Sequence, residues 1–237
     1  MNKYNTVLLI QDFMPAKLKR GLVAYYPLDE ASGNRRDISG YGQTLTDTNT
    51  VTGGVGPSGL ISLASDFELA TSEYLSHTGN ARLRGAIPAW SRCGWFLLES
   101  QAGVAMNLVA CLGATTGYTI RTTAAGTALA LQAGNGTTIG TVTNANVLAT
   151  ATWYFFYAEL EARTLRLQIN LDARATADLG GATYSPGSEV VHLGANITPA
   201  SYLDGMQAGV GMWDRLLTRQ EVAYLYNNGK GRIFLNG

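Results

Sequence analysis

Two glutamates set two residues apart, Glu159-Leu160-Glu161, are the sharpest chemical feature of this sequence and its only Glu-x-Glu. On a β-strand such residues share a face. Two carboxylates about 5 Å apart, one protonated and one ionised, are what retaining hydrolysis of a glycosidic bond requires. Here the pair falls at an expected strand end beside Arg163 and Arg166. Salt bridging at a solvated hairpin explains it better than catalysis. There is no Gly-x-Ser-x-Gly and no Gly-rich phosphate loop ending in Lys-Ser/Thr. His77 and His192 stand apart from any Cys or Asp pair, so no transition-metal site is expected. Trp90, Tyr118, Tyr184 and Tyr202 fall near expected loops, where aromatic rings stack on pyranose faces; core or rim packing is the commoner fate of such rings.

The elements around these residues read as short strands. Leu22, Ala24, Tyr26 and Leu28 alternate. After a Gly-, Thr- and Asp-rich loop to Ser58, in which 43–46 reads as a short strand, Ile61 to Phe67 and Glu73 to His77 read as a hairpin pair. Arg92 to Leu98 is apolar on both faces, the pattern of a central strand covered above and below. Four short units follow, at 107–112, 118–122, 128–132 and 137–143, with turn residues between them. Trp153 to Glu161 and Leu165 to Leu171 form a hairpin around Ala162-Arg163, and 189–194 leads to the closing segment. There Asp204-Gly205 turns the chain, and Met206, Ala208, Val210 and Met212 alternate on one face with Gly209 and Gly211 opposite. Thr218 and Glu221 form a capping box. Val222, Leu225 and Tyr226 give the helix an apolar stripe, and Asn228-Gly229 ends it.

The closing segment resembles that of bacterial and phage laminin-G-like, concanavalin-A-like lectin domains. The matching residues are Leu203-Asp204-Gly205, Asp214 to Thr218, and Leu225-Tyr226-Asn227-Asn228-Gly229. The family opening resembles Gly21 to Glu30 followed by Asp37 to Gly42, and the central hairpin resembles Trp153 to Tyr157 with Leu165 to Ile169. The resemblance spans roughly residues 21–231. It implies an all-β, two-sheet antiparallel jelly-roll sandwich, concanavalin-A-like, with one short C-terminal helix. Many relatives hold Ca²⁺, a hard ion bound by oxygens, and Asp29, Glu30, Asp37 and Asp204 lie in turns where such ligands gather. The acidic pair that usually follows the Asp-Gly turn is Ala208-Gly209 here, and the Asp-Gly ending the central hairpin is Asn170-Leu171. Turn capping is therefore the plainer reading of these aspartates, and Ca²⁺ is the one cofactor left open. The glucanase branch of the fold places alternating acids on one strand, and the family pattern has no catalytic pair at Glu159.

A chain of 237 residues with 46% hydrophobic and 14% charged content suits one globular sandwich. Seventeen basic residues balance seventeen acidic ones, so neither a nucleic-acid nor a membrane partner is expected. Cys93 and Cys111 lie in apolar runs and are read as buried free thiols. Residues 1–20 carry Lys3, Lys17, Lys19 and Arg20 against Asp12 alone, and follow an apolar–Pro15–basic order. They are read as an N-terminal arm, with 21–237 as the jelly-roll domain. Val7, Leu8, Leu9, Ile10 and Phe13 would anchor it by strand addition to another chain, and Lys17, Lys19 and Arg20 would meet an acidic rim. With no export signal evident, the expectation is a non-catalytic structural or interaction protein of a bacteriophage virion, a capsid-decoration or tail component. Its partners would be other virion proteins or its own copies. The alternatives are an extracellular carbohydrate-binding module that contacts cell-surface glycans and, last, a glycoside hydrolase.

Overall fold

The computed structural model describes residues 14–187, 190–198 and 200–233. Residues 14–19 are helical (α1). Fifteen strands follow among the described residues: β1 (Leu22–Tyr26), β2 (Thr46–Thr48), β3 (Thr52–Ser58), β4 (Ile61–Phe67), β5 (Tyr74–His77), β6 (Ala89–Leu98), β7 (Asn107–Ala110), β8 (Tyr118–Thr122), β9 (Leu129–Gly134), β10 (Ile139–Asn144), β11 (Trp153–Glu161), β12 (Thr164–Ile169), β13 (Ala175–Asp178), β14 (Val191–Leu193) and β15 (Gly205–Trp213). Helix α2 (Arg219–Tyr226) closes the fold. An eight-stranded sheet runs β13-β12-β11-β6-β15-β4-β3, with β1 pairing β15; a seven-stranded sheet runs β10-β9-β8-β7-β14-β5-β2. All paired strands are antiparallel, as the resemblance implied.

Two apolar layers hold the sandwich. Phe96, Leu98, Phe156 and Leu167 of the larger sheet meet Leu108, Ile120, Leu131 and Leu193 of the smaller one between the sheets. The outer face of the larger sheet carries Tyr25, Cys93, Trp95, Phe155, Tyr157 and Trp213, covered by Leu18, Leu217, Val222 and Leu225. That second layer explains why β6 is apolar on both faces. It also splits the cysteines: Cys93 lies in the outer layer, Cys111 in the inner one, and both are free. Burial pushes the Cys111 thiol up to about 12 and raises Cys93 as well.

Several expectations need correction. β4 and β5 do not form a hairpin: β4 pairs β3 and β15, whereas β5 joins β2 and β14 in the other sheet. The missing partner, β3, reads as loop because it is Gly-rich, but its glycines serve close approach. A Cβ at Gly54 would meet the Met206 sulfur at 2.8 Å. Likewise β15 does not keep one face. A bulge between Ala208 and Gly211, with Gly209 at φ 57°, leaves Met206 and Ala208 in the outer layer and turns Val210 and Met212 into the inner core.

The end of the expected arm, 14–20, is also no arm. Met14 and Leu18 are buried, the Trp213 indole Nε1 donates to the Leu18 carbonyl (2.7 Å), and the Arg215 guanidinium donates to the carbonyls of Lys17 and Arg20. A single helical turn gains its stability from such packing. Lys17, Lys19 and Arg20 remain exposed. The expected anchor residues Val7, Leu8, Leu9, Ile10 and Phe13 lie outside the described residues.

The capping box forms as expected, with Thr218 Oγ accepting from Glu221 N and Glu221 reaching back to Thr218 N, and Asn227 caps the other end in the left-handed region. Leu18 and Leu225 are equivalent tests of the outer layer. Each changed to alanine should cost about 2–5 kcal/mol in chemical denaturation. An unchanged midpoint for Leu18→Ala would show that α1 is detached in solution.

Candidate functional site

The site is built where three strands of the larger sheet end together. Gly205, the first residue of β15, pairs with Phe67 of β4 and Leu98 of β6. The residues just beyond, Glu68, Glu99 and Asp204, are thereby gathered at one rim, and the Glu99 amide donates to the Asp204 carbonyl at 2.9 Å. Asp66 lies two residues before Glu68. Asp66, Glu68 and Glu99 each bring a carboxylate oxygen within 4.8 Å of the others. All three pKa values are raised from their ordinary values. For Asp66 desolvation comes first, then the charges of Glu73 and Asp204; for Glu68 and Glu99 desolvation again leads and their acidic neighbours follow. Asp66 Oδ1 is shielded from solvent and carries no hydrogen bond. Glu73 fixes the adjoining loop, accepting from Glu68 N (3.2 Å) and Thr71 Oγ (2.7 Å).

Crowded oxygens of this kind fit a hard cation, which would relieve the repulsion. Asp66, Glu68 and Glu99 are the residues that would hold it, with Asp204 adjacent. Of the aspartates singled out from the sequence, only Asp204 is here. Asp37 is instead a turn hub, accepting from Tyr25 N, Ser39 N, Ser39 Oγ and Gln43 N. Asp29 pairs with Arg36, 3.1 Å away. A sequence signal existed in Asp66-Phe67-Glu68, two acids on one strand face, but Glu99 and Asp204 join it only through the sheet.

Aromatic rings border the same rim. Tyr74 follows Glu73, and Tyr202 precedes Asp204 by two residues. Tyr74 lies 5.0 Å from the His192 ring and 6.4 Å from that of Tyr202, centroid to centroid. Both tyrosines are half-buried. Burial lowers the His192 pKa against the opposing contact with the Asn196 carbonyl, 2.6 Å from Nδ1, so the ring is neutral at neutral pH and Nδ1 is its donor.

The other expected sugar-stacking residues are placed differently. Trp90 and Tyr118 are fully buried between the sheets, where they flank the Arg92 guanidinium at 5.0 and 5.1 Å from their centroids; they are core, not platform. Tyr184 packs edge-on to Trp90 and donates to the Arg84 carbonyl, 2.7 Å away. Glu159 also departs from the solvated-hairpin reading. It is 2% exposed, and it accepts from Tyr157 Oη (2.5 Å), Arg174 (2.9 Å) and Arg166 (3.2 Å). Glu161 is exposed, 3.6 Å from Arg166. One carboxylate is thus a buried counter-ion and the other a surface residue, so they do not face a common cleft. The reason is the outer apolar layer, which extends further along β11 than hairpin chemistry suggests.

A two-sheet jelly roll with a rim of carboxylates and aromatics is the architecture of a lectin-type domain. The chain belongs to the concanavalin A-like lectin/glucanases superfamily, whose family model matches residues 69–223. No curated protein matches it. Among solved structures it is similar to the binding domain of Paraclostridial Mosquitocidal Protein 1, at 14% identity and TM-score 0.71, over 89% of this chain and 53% of that one. It is also similar to botulinum neurotoxin type C, described by its interaction with two ganglioside molecules (9% identity, TM-score 0.66, 90% and 52% covered). A third is the binding domain of botulinum neurotoxin DC in complex with SialylT (10%, 0.63, 90% and 52%). The chain spans about half the length of these structures, and at such identities the likeness is one of fold.

A carboxylate whose folded pKa is raised destabilises the fold as pH climbs through its unfolded and then its folded pKa. Asp66→Asn should therefore raise the melting temperature at neutral pH without Ca²⁺, with the gain vanishing near pH 4. Millimolar Ca²⁺ should stabilise the parent chain more than the variant. A variant that melts lower at pH 7 would contradict the repulsion.

Proposed function

We propose that this chain is a non-catalytic glycan-binding domain whose contact surface is the rim around Tyr74, His192 and Tyr202, with Ca²⁺ at Asp66, Glu68 and Glu99 completing it. The half-buried aromatic cluster beside the crowded carboxylates carries the reading. Rings offer apolar faces to sugar C–H groups, and a bound cation with neighbouring carboxylates offers partners for hydroxyls. Two of the similar solved structures are described by an interaction with two ganglioside molecules and by a complex with SialylT, which is consistent with a glycan as partner. The non-catalytic reading is supported by Glu159, whose oxygens are committed to Tyr157, Arg166 and Arg174.

A glycan array run with Ca²⁺ and with chelator tests this. Binding should appear in Ca²⁺, fall in chelator, and fall on the order of tenfold for Tyr202→Ala. An array blank under both conditions would overturn the glycan reading, and release of reducing sugar from β-glucans would overturn the non-catalytic one.

The setting we propose is a bacteriophage particle, in which the domain decorates the capsid or tail. The support is the apolar run Val7 to Ile10 with the exposed Lys17, Lys19 and Arg20 beyond it. Because Met14 and Leu18 are core, the proposed anchor is confined to the residues before Met14. Deleting residues 2–13 should abolish particle attachment or self-association with little change in melting temperature, whereas deleting 2–19 should also destabilise the sandwich. Normal assembly by the shorter deletion would rule out the anchor.

A further inference from the structure

A second concave surface lies away from the rim, on the outer face of the larger sheet. Its one wall is the segment after β12, with Leu171, Asp172 and Arg174, and its other wall is α2, with Arg219 and Val222; the groove holds about 590 Å³. We propose that this groove binds a sugar unit that carries a carboxylate.

The two arginines are the first argument. Arg174 is held in place: Nη1 donates to the buried Glu159 (2.9 Å), Nε donates to Gln168 Oε1 (3.2 Å), and the guanidinium sits 5.0 Å from the Tyr157 ring centroid. Its charge offsets Glu159, which Arg166 also contacts at 3.2 Å. Arg219 is different. Among the described residues no carboxylate pairs with it. It is the first residue of α2, where a positive charge opposes the helix dipole. Arg219 is exposed and lines the groove, so its guanidinium is available to a ligand there.

The remaining lining selects the rest of the ligand. Leu171 is 42% exposed, and with the exposed Ala223 it gives an apolar surface for the C–H face of a pyranose. Asp172, steadied by the Asn146 amide at 2.8 Å, accepts from hydroxyls. That aspartate also opposes a small dianion, and the groove is far larger than one. A uronate or a sialic acid combines the three features: one carboxylate for the guanidinium fork, one apolar face, and several hydroxyls.

Titration calorimetry of the full chain with N-acetylneuraminate and with glucuronate tests the proposal, with glucose, N-acetylglucosamine and inorganic phosphate as controls. At least one carboxylated sugar should bind, with neutral sugars and phosphate on the order of tenfold weaker or more. Arg219→Gln should remove that preference, and Arg219→Lys should retain part of it, because a point charge replaces a fork. Arg219 is exposed, and an unchanged melting temperature verifies that both variants fold. Tyr202→Ala should leave this binding unaltered, which separates the groove from the rim site. Equal binding of neutral sugars, full competition by phosphate, no binding of either acid, or an Arg219→Gln chain that binds as before would each overturn it. Binding that appears only after residues 2–13 are removed would assign the groove to the chain's own N-terminal segment.

Discussion

A positive charge is buried in this sandwich with no carboxylate among the described residues to meet it, and much of the architecture is arranged around that fact. Arg92 of β6 is fully buried. Its Nε donates to Tyr118 Oη (2.7 Å), Nη1 to the carbonyls of Ser91 and Trp213 (2.9 Å each), and Nη2 to those of Leu83 (2.8 Å) and Arg82 (3.4 Å). Trp90 and Tyr118 present ring faces to it. An unsolvated charge is tolerable only when its donors are satisfied, and here carbonyl dipoles and π faces replace water. Any one of those carbonyls left unpaired in the core would cost about 1–3 kcal/mol. The guanidinium therefore locks β6, β8, the end of β15 and the loop at residues 82–83 into one arrangement. Arg35 does a similar task at the other side, reaching Ser65, Gly33, Val51 and Thr52 from a fully buried position.

With β6 and β15 fixed in this way, the functional surfaces follow from what surrounds them. β15 pairs with β6 along one side and with β1 and β4 in succession along the other. Its first residue marks the rim where carboxylates from the ends of β4 and β6 and from the segment before β15 converge. Its last residue, Trp213, anchors α1 through the Leu18 carbonyl. The bulge at Gly209 shifts the alternation, so that Ala208 lies in the outer layer, Val210 and Met212 in the inner core, and Trp213 in the outer layer again. One strand thus joins the candidate binding rim to the helical layer on the outer face, in which α2 walls the second groove.

The helices do more than cover the sheet. Arg215 spans from the carbonyls of Lys17 and Arg20 to Glu221, so α1 and the capping box of α2 share one guanidinium. Tyr157 Oη accepts from Leu217 N while donating to Glu159, carrying the same network onto β11. The hydroxyl's pKa is raised by burial and then by the Glu159 charge, which keeps it a donor. The outer layer is a continuous polar and apolar assembly over the sheet. This is why residues 14–20 belong to the domain even though their composition sets them apart.

What the sequence determined by itself is whatever depends on neighbours a few residues away. The Thr218–Glu221 cap, the β11–β12 hairpin and the meander of β7 to β10 are all local in this sense, and each was legible. So was the two-sided burial of β6, because period and composition report it directly. The tertiary structure alone decided the rest. It gave β4 and β5 to different sheets, made a strand of the Gly-rich β3, and buried Trp90 and Tyr118 around a charge. It also turned Glu159 from a surface residue into a counter-ion. The candidate site belongs to that second group: Asp66, Glu99 and Asp204 come from three segments far apart in the chain. No short-range pattern records which strand ends will meet, since that is settled by sheet order, and sheet order is settled by the packing of the whole core.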